Sequence, residues 1–117
     1  MKILVVDDDP IAAEMIAAIL EDAGHVVIQV GNGMEAIEAI ESASAFDLII
    51  SDMNMPLISG IELFHTLQSQ GIDTPFMLLT GDDPTALKDS EPGLSDCLKK
   101  DFDLDVTLIQ SLERLFL

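Results

Sequence analysis

The strongest constraint on this chain is an alternation: five short, largely apolar runs take turns with amphipathic stretches along its whole length. Lys2–Val6 is apolar throughout after its lysine, which suits a strand covered on both faces rather than one. The other strand-like runs are His25–Val30, Phe46–Ser51, Thr74–Leu79 (introduced by Pro75) and Ser95–Lys99. Between the first two, Asp9-Pro10 supplies an N-cap and a first-turn proline. Ile11, Met15, Ile19 and Leu20 follow at helical spacing, and Gly24 ends the helix. Gly33–Ala43 predicts a second helix with Met34, Ile37 and Ile40 inward, and Gly60–Gln70 a third that stops at Gly71. Asp83-Pro84 starts a fourth, but Glu91-Pro92-Gly93 ends it after about two turns. Its only apolar residues are Ala86 and Leu87, so it should be short, weakly anchored and mobile. The last helix carries Leu104, Leu108, Ile109, Leu112, Leu115 and Phe116, with Arg114 near the negative end of its dipole. Strands alternating with helices predict a parallel sheet with helices on both faces.

Nothing in the chain divides it: there is no linker, repeat or low-complexity stretch, so residues 1–117 read as one domain. No apolar run approaches the roughly 20 residues of a membrane span, and no leader-like segment precedes Lys2. With a single cysteine, Cys97, no internal disulfide can form, and the expected setting is a reducing cytoplasm away from membranes. Charge is the compositional outlier: 22 acidic against 5 basic residues give a net charge of −17. Such a surface repels phosphate backbones, which argues against direct nucleic-acid binding and favours cations as partners.

In a sheet of this kind, ligands bind outside the carboxyl ends of the strands. The residues standing there are Asp7, Asp8 and Asp9 after the first strand, Asp52 after the third, Thr80 after the fourth, and Lys99 and Lys100 after the fifth. Carboxylates gathered this way repel one another unless a cation joins them or their pKa values rise. Oxygen ligands with few dedicated protein contacts suit Mg²⁺ or Mn²⁺. A carboxylate beside such a metal can act as nucleophile toward phosphorus, with a lysine and a hydroxyl stabilising the added charge.

At these residues the sequence resembles the response-regulator receiver family of two-component signalling. The opening Ile3-Leu4-Val5-Val6-Asp7-Asp8-Asp9-Pro10 is similar to the family's start. The stretch Asp47-Leu48-Ile49-Ile50-Ser51-Asp52-Met53-Asn54-Met55-Pro56, closing with Gly60, is similar to its phosphorylation segment. The resemblance implies a flavodoxin-like, doubly wound α/β fold, like that of the chemotaxis regulators, with strand order 2-1-3-4-5. It also implies Asp52 as phosphoacceptor, Asp8 and Asp52 as direct Mg²⁺ ligands, Asp7 acting mainly through water, and the Asn54 carbonyl completing the set. Thr80, followed by Gly81, resembles the switch hydroxyl, and Lys100 the site lysine. The implied function is a phosphorelay switch rather than an enzyme with turnover. Its donor is the phosphohistidine of a sensor kinase or phosphotransfer domain. Its output passes through the fourth helix, fifth strand and fifth helix to an effector domain or downstream protein, with weak homodimerisation compatible with this scheme.

Two departures stand out. Lys100-Asp101-Phe102 occupies the place of the family's Lys-Pro-Phe. A cis bond before a non-proline residue costs about 3 kcal/mol, so either the strained bond persists or the loop runs trans and Lys99 becomes a rival to Lys100. Cys97 stands where an aromatic usually couples to the threonine, so activation should be reported differently, or weakly, here. Other motifs have plainer readings. Asp9 is better explained as a helix cap than as a ligand, and His25 and His65 have no ligand-spaced companions. Gly31-Asn32-Gly33-Met34-Glu35-Ala36 matches a dinucleotide fingerprint but follows the second strand and leaves Asp7, Asp8 and Lys100 unused. A phosphatase using Asp7 and Asp9 as a D-x-D pair, and a degenerate receiver that only binds partners, are the rivals from other classes.

Overall fold

The computed structural model describes residues 1–42 and 45–117. Its strands are β1 (Lys2–Val6), β2 (Val26–Val30), β3 (Leu48–Asp52), β4 (Phe76–Thr80) and β5 (Asp96–Lys99). Its helices are α1 (Pro10–Asp22), α2 (Gly33–Ser42), α3 (Gly60–Ser69), α4 (Thr85–Ser90) and α5 (Leu104–Phe116). The strands form one parallel sheet in the order β2-β1-β3-β4-β5, the order the resemblance implied. The register pairs Ile3 with Leu48, Ile49 with Phe76, and Met77 with Asp96.

Alternate strand residues feed two cores. On one face, Ile3, Val5, Ile50, Met77 and Leu79 pack with Ala13, Ile16 and Leu20 of α1 and with Leu104, Leu108 and Leu112 of α5. On the other, Leu4, Val6, Ile49, Leu78 and Cys97 pack with Ala36 of α2 and with Leu63, Phe64 and Leu67 of α3. The central strands β3 and β4 are buried at every position, which is why they read as unbroken apolar runs.

Several expectations shift. α1 does not seat the stripe of Ile11 and Met15, both of which are exposed; it seats Ala13, Ile16, Ala17 and Leu20. Both stripes are apolar, and the sheet takes the one whose small residues let the helix approach closely. Met34 of α2 is likewise exposed, and Ala36 takes the inward place. The predicted end of that helix, Ala43, lies outside the described residues. Strands β2, β3, β4 and β5 each begin one or two residues later than the apolar runs, and β3 and β4 extend to include Asp52 and Thr80. α5 leaves Phe116 at the surface.

The fourth helix is as short as its composition predicts, six residues with none buried. Asp83 works from one position before the cap, accepting from the Thr85 N–H at 3.0 Å and the Thr85 hydroxyl at 2.7 Å. Two side-chain links tie α4 to the body: Lys88 to Asp96 at 3.2 Å, and Glu91, at its end, to His65 of α3. His25 contacts the N-terminal amine through Nδ1 at 3.1 Å, and burial, with help from that amine, lowers its pKa.

Candidate functional site

The carboxyl ends of β1, β3, β4 and β5 lie side by side, so residues far apart in sequence share one rim. Asp7, just past β1, is buried and accepts from the Asp9 N–H at 2.9 Å and from Lys100 Nζ at 2.8 Å. Asp52 closes β3 and is 8% exposed, with Lys100 Nζ 3.2 Å from its Oδ1. Asp8 is exposed beside them. One oxygen each from Asp7, Asp8 and Asp52 lie within 4.8 Å of one another. Burial pushes the Asp52 carboxyl above its ordinary pKa; Lys100 opposes the rise, and Asp7 and Asp8 add to it. For Lys100, burial disfavours the ammonium, but its hydrogen bond to Asp7 and its attraction to Asp52 prevail, and its pKa is raised.

The lysine keeps its place without the family's proline. The chain contains no cis peptide bond among the described residues. Instead the Lys100 N–H donates to the Thr80 carbonyl at 2.7 Å, extending the β4–β5 ladder by one residue and aiming the side chain at Asp7 and Asp52. Lys99, the rival, is exposed. Thr80 is buried at the end of β4, and its Oγ1 accepts from the Asp82 N–H at 3.2 Å. Asn54 stands exposed in the turn after Asp52. The structure therefore brings Asp7, Asp8, Asp52 and Lys100 into one cluster, with Thr80 on the neighbouring strand end.

The turn after β3 is tightly built. A Cβ on Gly60 would lie 2.4 Å from the Asp52 carbonyl oxygen and 2.6 Å from Leu78 Cδ1, so only glycine lets α3 start this close to the end of β3. The Gly60 N–H donates to the Met53 carbonyl at 2.9 Å, and Ser59 and Glu62 form a capping box. Leu57 sits in this turn with φ +72°, a left-handed conformation that costs a branched residue about 1 kcal/mol.

The competing motifs are occupied with local work. Asp9 accepts from the Ile11 N–H at 3.0 Å, so it caps α1, as the sequence suggested. In the dinucleotide-like stretch, Glu35 takes the Gly31 N–H at 2.6 Å and Asn32 the Glu35 N–H at 2.9 Å. Two of the donors a pyrophosphate would meet there are thus already capped. One network escaped sequence reasoning. Asp96, buried in β5, accepts from Ser111, Arg114 and the Cys97 N–H, and pairs with Lys88. An acid inside an apolar strand, followed by a serine and arginine three apart on the last helix, was the available signal.

A doubly wound parallel sheet with acids and a lysine at its carboxyl rim defines the class as flavodoxin-like α/β. The profile of the response regulator receiver domain matches residues 3–113, and the chain belongs to that family of two-component signalling. It is 36% identical over 107 residues to the response regulator protein PmrA of Pseudomonas aeruginosa, covering 90% of this chain and 48% of PmrA. The chain spans about half the length of the curated relatives it matches. Chemotaxis protein CheY4 of Vibrio cholerae superposes with a TM-score of 0.87 at 34% identity, over 98% of both chains. The response regulator TrrA of Thermotoga maritima, solved in complex with Mg²⁺-BeF, gives a TM-score of 0.86 at 30% identity, again over 98% of both.

Proposed function

We propose that residues 1–117 form one receiver domain that accepts a phosphoryl group on Asp52 from the phosphohistidine of a sensor histidine kinase or a histidine phosphotransfer domain. The observation that carries this reading is the setting of Asp52: a nearly buried carboxylate at a strand end, with Lys100 at 3.2 Å and two further acids within reach.

An Asp52 oxygen attacks phosphorus. The O–P bond forms as the P–N bond breaks, and the imidazole leaves with the bonding pair and gains a proton from water. Lys100 remains protonated because Asp7 and Asp52 hold its pKa up, so it stands ready to pair with a new phosphoryl oxygen. The Thr80 hydroxyl, at the end of the adjacent strand, can turn from its local partner to donate to another. The three clustered oxygens suit a hard divalent ion. Asp8, Asp52 and the Asn54 carbonyl, with Asp7 acting through water, would hold Mg²⁺ or Mn²⁺, which when bound offsets charge on the transferring group. Water later hydrolyses the acyl phosphate and restores the carboxylate, so the domain is a self-resetting switch without substrate turnover.

The region that reports the switch is α4-β5-α5. Cys97 takes the place of the usual aromatic inside the core, and α4 buries no residue, reaching the core through partly buried Leu87 beside its two polar links, so its displacement rather than a ring rotation carries the signal. Among the described residues no helix is long and apolar enough to cross a membrane, and the strongly acidic surface disfavours nucleic acid as a direct ligand. A cytoplasmic setting, an effector domain or downstream protein as output, and weak homodimerisation complete the proposal.

The test is the intact mass after incubation with acetyl phosphate and Mg²⁺, for wild type and Asp52→Ala. The expected result is a metal-dependent, acid-stable and base-labile phosphoryl adduct that the variant lacks. An adduct surviving in the variant would move the nucleophile to Asp7 or Asp8, and no adduct with any donor would leave a binding module.

A further inference from the structure

The two edges of the sheet differ. At one side, β5 has four residues, includes Asp96 and Lys99, and is guarded by the Lys88–Asp96 ion pair from α4. Short length and charge are the usual means of keeping other strands off an edge. At the other side, β2 has neither: Val26-Val27-Ile28-Gln29-Val30 carries no charge.

The hydrogen bonds show which of its backbone groups are turned outward. The Val26 N–H donates to the Met1 carbonyl at 2.9 Å, and the Val30 carbonyl accepts from the Asp7 N–H at 3.1 Å. Alternate residues of a parallel strand point both backbone groups the same way, so Val26, Ile28 and Val30 face β1. Val27 and Gln29 therefore direct both N–H and C=O away from the sheet, and among the described residues no strand pairs with them. The following outward donor, the Gly31 N–H, is closed off by Glu35. The open edge thus has a defined length, Val27 to Gln29. Beside it, Val26 and Ile28 are 61% and 40% exposed, because α2 packs over β1 rather than over β2.

Charge selects the occupant. β2 is preceded by Glu21 and Asp22 and followed by Glu35, Glu38 and Glu41, all exposed. Between Lys2 and Lys88 the sequence has no lysine or arginine at all. A second copy would bring the same acids to the same edge and be repelled. We propose that the β2 edge is a docking site for an extended segment of a partner protein, one that alternates apolar residues and is flanked by lysine or arginine. Its backbone pairs with Val27 and Gln29, its apolar side chains cover Val26 and Ile28, and its basic ends meet the flanking acids.

The probe is a short synthetic peptide alternating valine with threonine between terminal lysines, with a glutamate-ended twin as control. It is titrated into the whole chain and followed by backbone NMR and amide hydrogen exchange. The expected result is shift changes confined to residues 25–31 and slowed exchange of the Val27 and Gln29 amides. The glutamate-ended twin should bind at least about tenfold more weakly. Gln29→Pro removes an outward donor at a position where an edge strand tolerates proline, and Ile28→Lys places a like charge under the peptide; each should weaken binding about tenfold. Shifts centred on Asp7, Asp8 and Asp52 would reveal mere charge attraction and overturn the proposal. Equal binding of the twin, no binding at all, or amides at Val27 and Gln29 already protected by self-association would do the same.

Discussion

Replacing Asp96 by asparagine tests the energetic reading of the β5–α5 seam. Asp96 is 6% exposed, and its carboxylate accepts from the Cys97 N–H at 2.8 Å, from the Ser111 hydroxyl and from Arg114, with Lys88 at 3.2 Å. The partners do not weigh equally. Arg114 and Lys88 have side chains 63% and 47% exposed, so water can resolvate both, and each pair contributes at most about 1 kcal/mol. Ser111 is buried, as is the Cys97 backbone, and a hydrogen bond to an ionised acceptor is worth about 1.5–3 kcal/mol against about 1 for a neutral one. Asparagine keeps one oxygen for the Cys97 N–H but turns an amide donor toward Ser111 and Arg114. The sum is a loss of about 2–3 kcal/mol at pH 7. The pH dependence gives a second handle. Burial pushes the Asp96 pKa up, but the bonds from Ser111, Cys97 and Lys88 outweigh it and leave it below the ordinary 3.8. A carboxyl depressed in the folded state stabilises it fully above the unfolded pKa, and that contribution fades as pH falls through the folded value. Urea unfolding of both proteins from pH 7 down to pH 3 therefore should show a gap that narrows below pH about 4. A gap under about 0.5 kcal/mol at pH 7, or one that stays constant on acidification, would refute the reasoning.

Gly60→Ala should cost about 1–3 kcal/mol, because the new methyl meets the Asp52 carbonyl at 2.4 Å, and, on the proposed function, should slow adduct formation by moving the end of β3; urea midpoints and adduct rates check both. Leu57→Gly should raise stability by about 0.5–1 kcal/mol, since φ +72° strains leucine and not glycine; a lower unfolding midpoint would count against this. Mg²⁺ at about 100 times its dissociation constant should stabilise the wild type by about 2.7 kcal/mol. Asp8→Asn and Asp52→Asn should shrink that gain, and equal shifts in thermal midpoint for all three proteins would remove these residues from the ligand set.

What the sequence allowed depended on how local the determining physics was. β1, β3 and β4 were legible because strands buried on both faces must be apolar without a break, and the acids and threonine that end those runs could be placed on one rim. The seam of α1 was not legible. Ile11 with Met15 and Ala13 with Ile16 and Ala17 are both apolar stripes, and only the closeness of the sheet chooses the smaller residues. That Lys100 stands on the rim beside Asp7 and Asp52 was legible, but its hold was not. Its bond to the Thr80 carbonyl depends on ladder register, which replaces what a proline would have fixed. Asp96 looked like one more acid in a very acidic chain until the fold brought Lys88, Ser111 and Arg114 around it. Leu57 gave no sign of its positive φ, because leucine is not a residue that announces a left-handed turn.

The Lys100–Asp7 bond joins residues 93 apart in the chain. A growing polypeptide emerges with Asp7 and Asp52 long before Lys100, the ammonium that pairs with both. Contacts of such separation form only after the loops between them have closed, and in a parallel sheet that waits on the docking of the edge strand. A nascent, truncated or half-folded chain thus presents mutually repelling acids without the ammonium that pairs with them. Completion of the fold and assembly of the charged cluster therefore coincide, and an unfinished molecule lacks the proposed site.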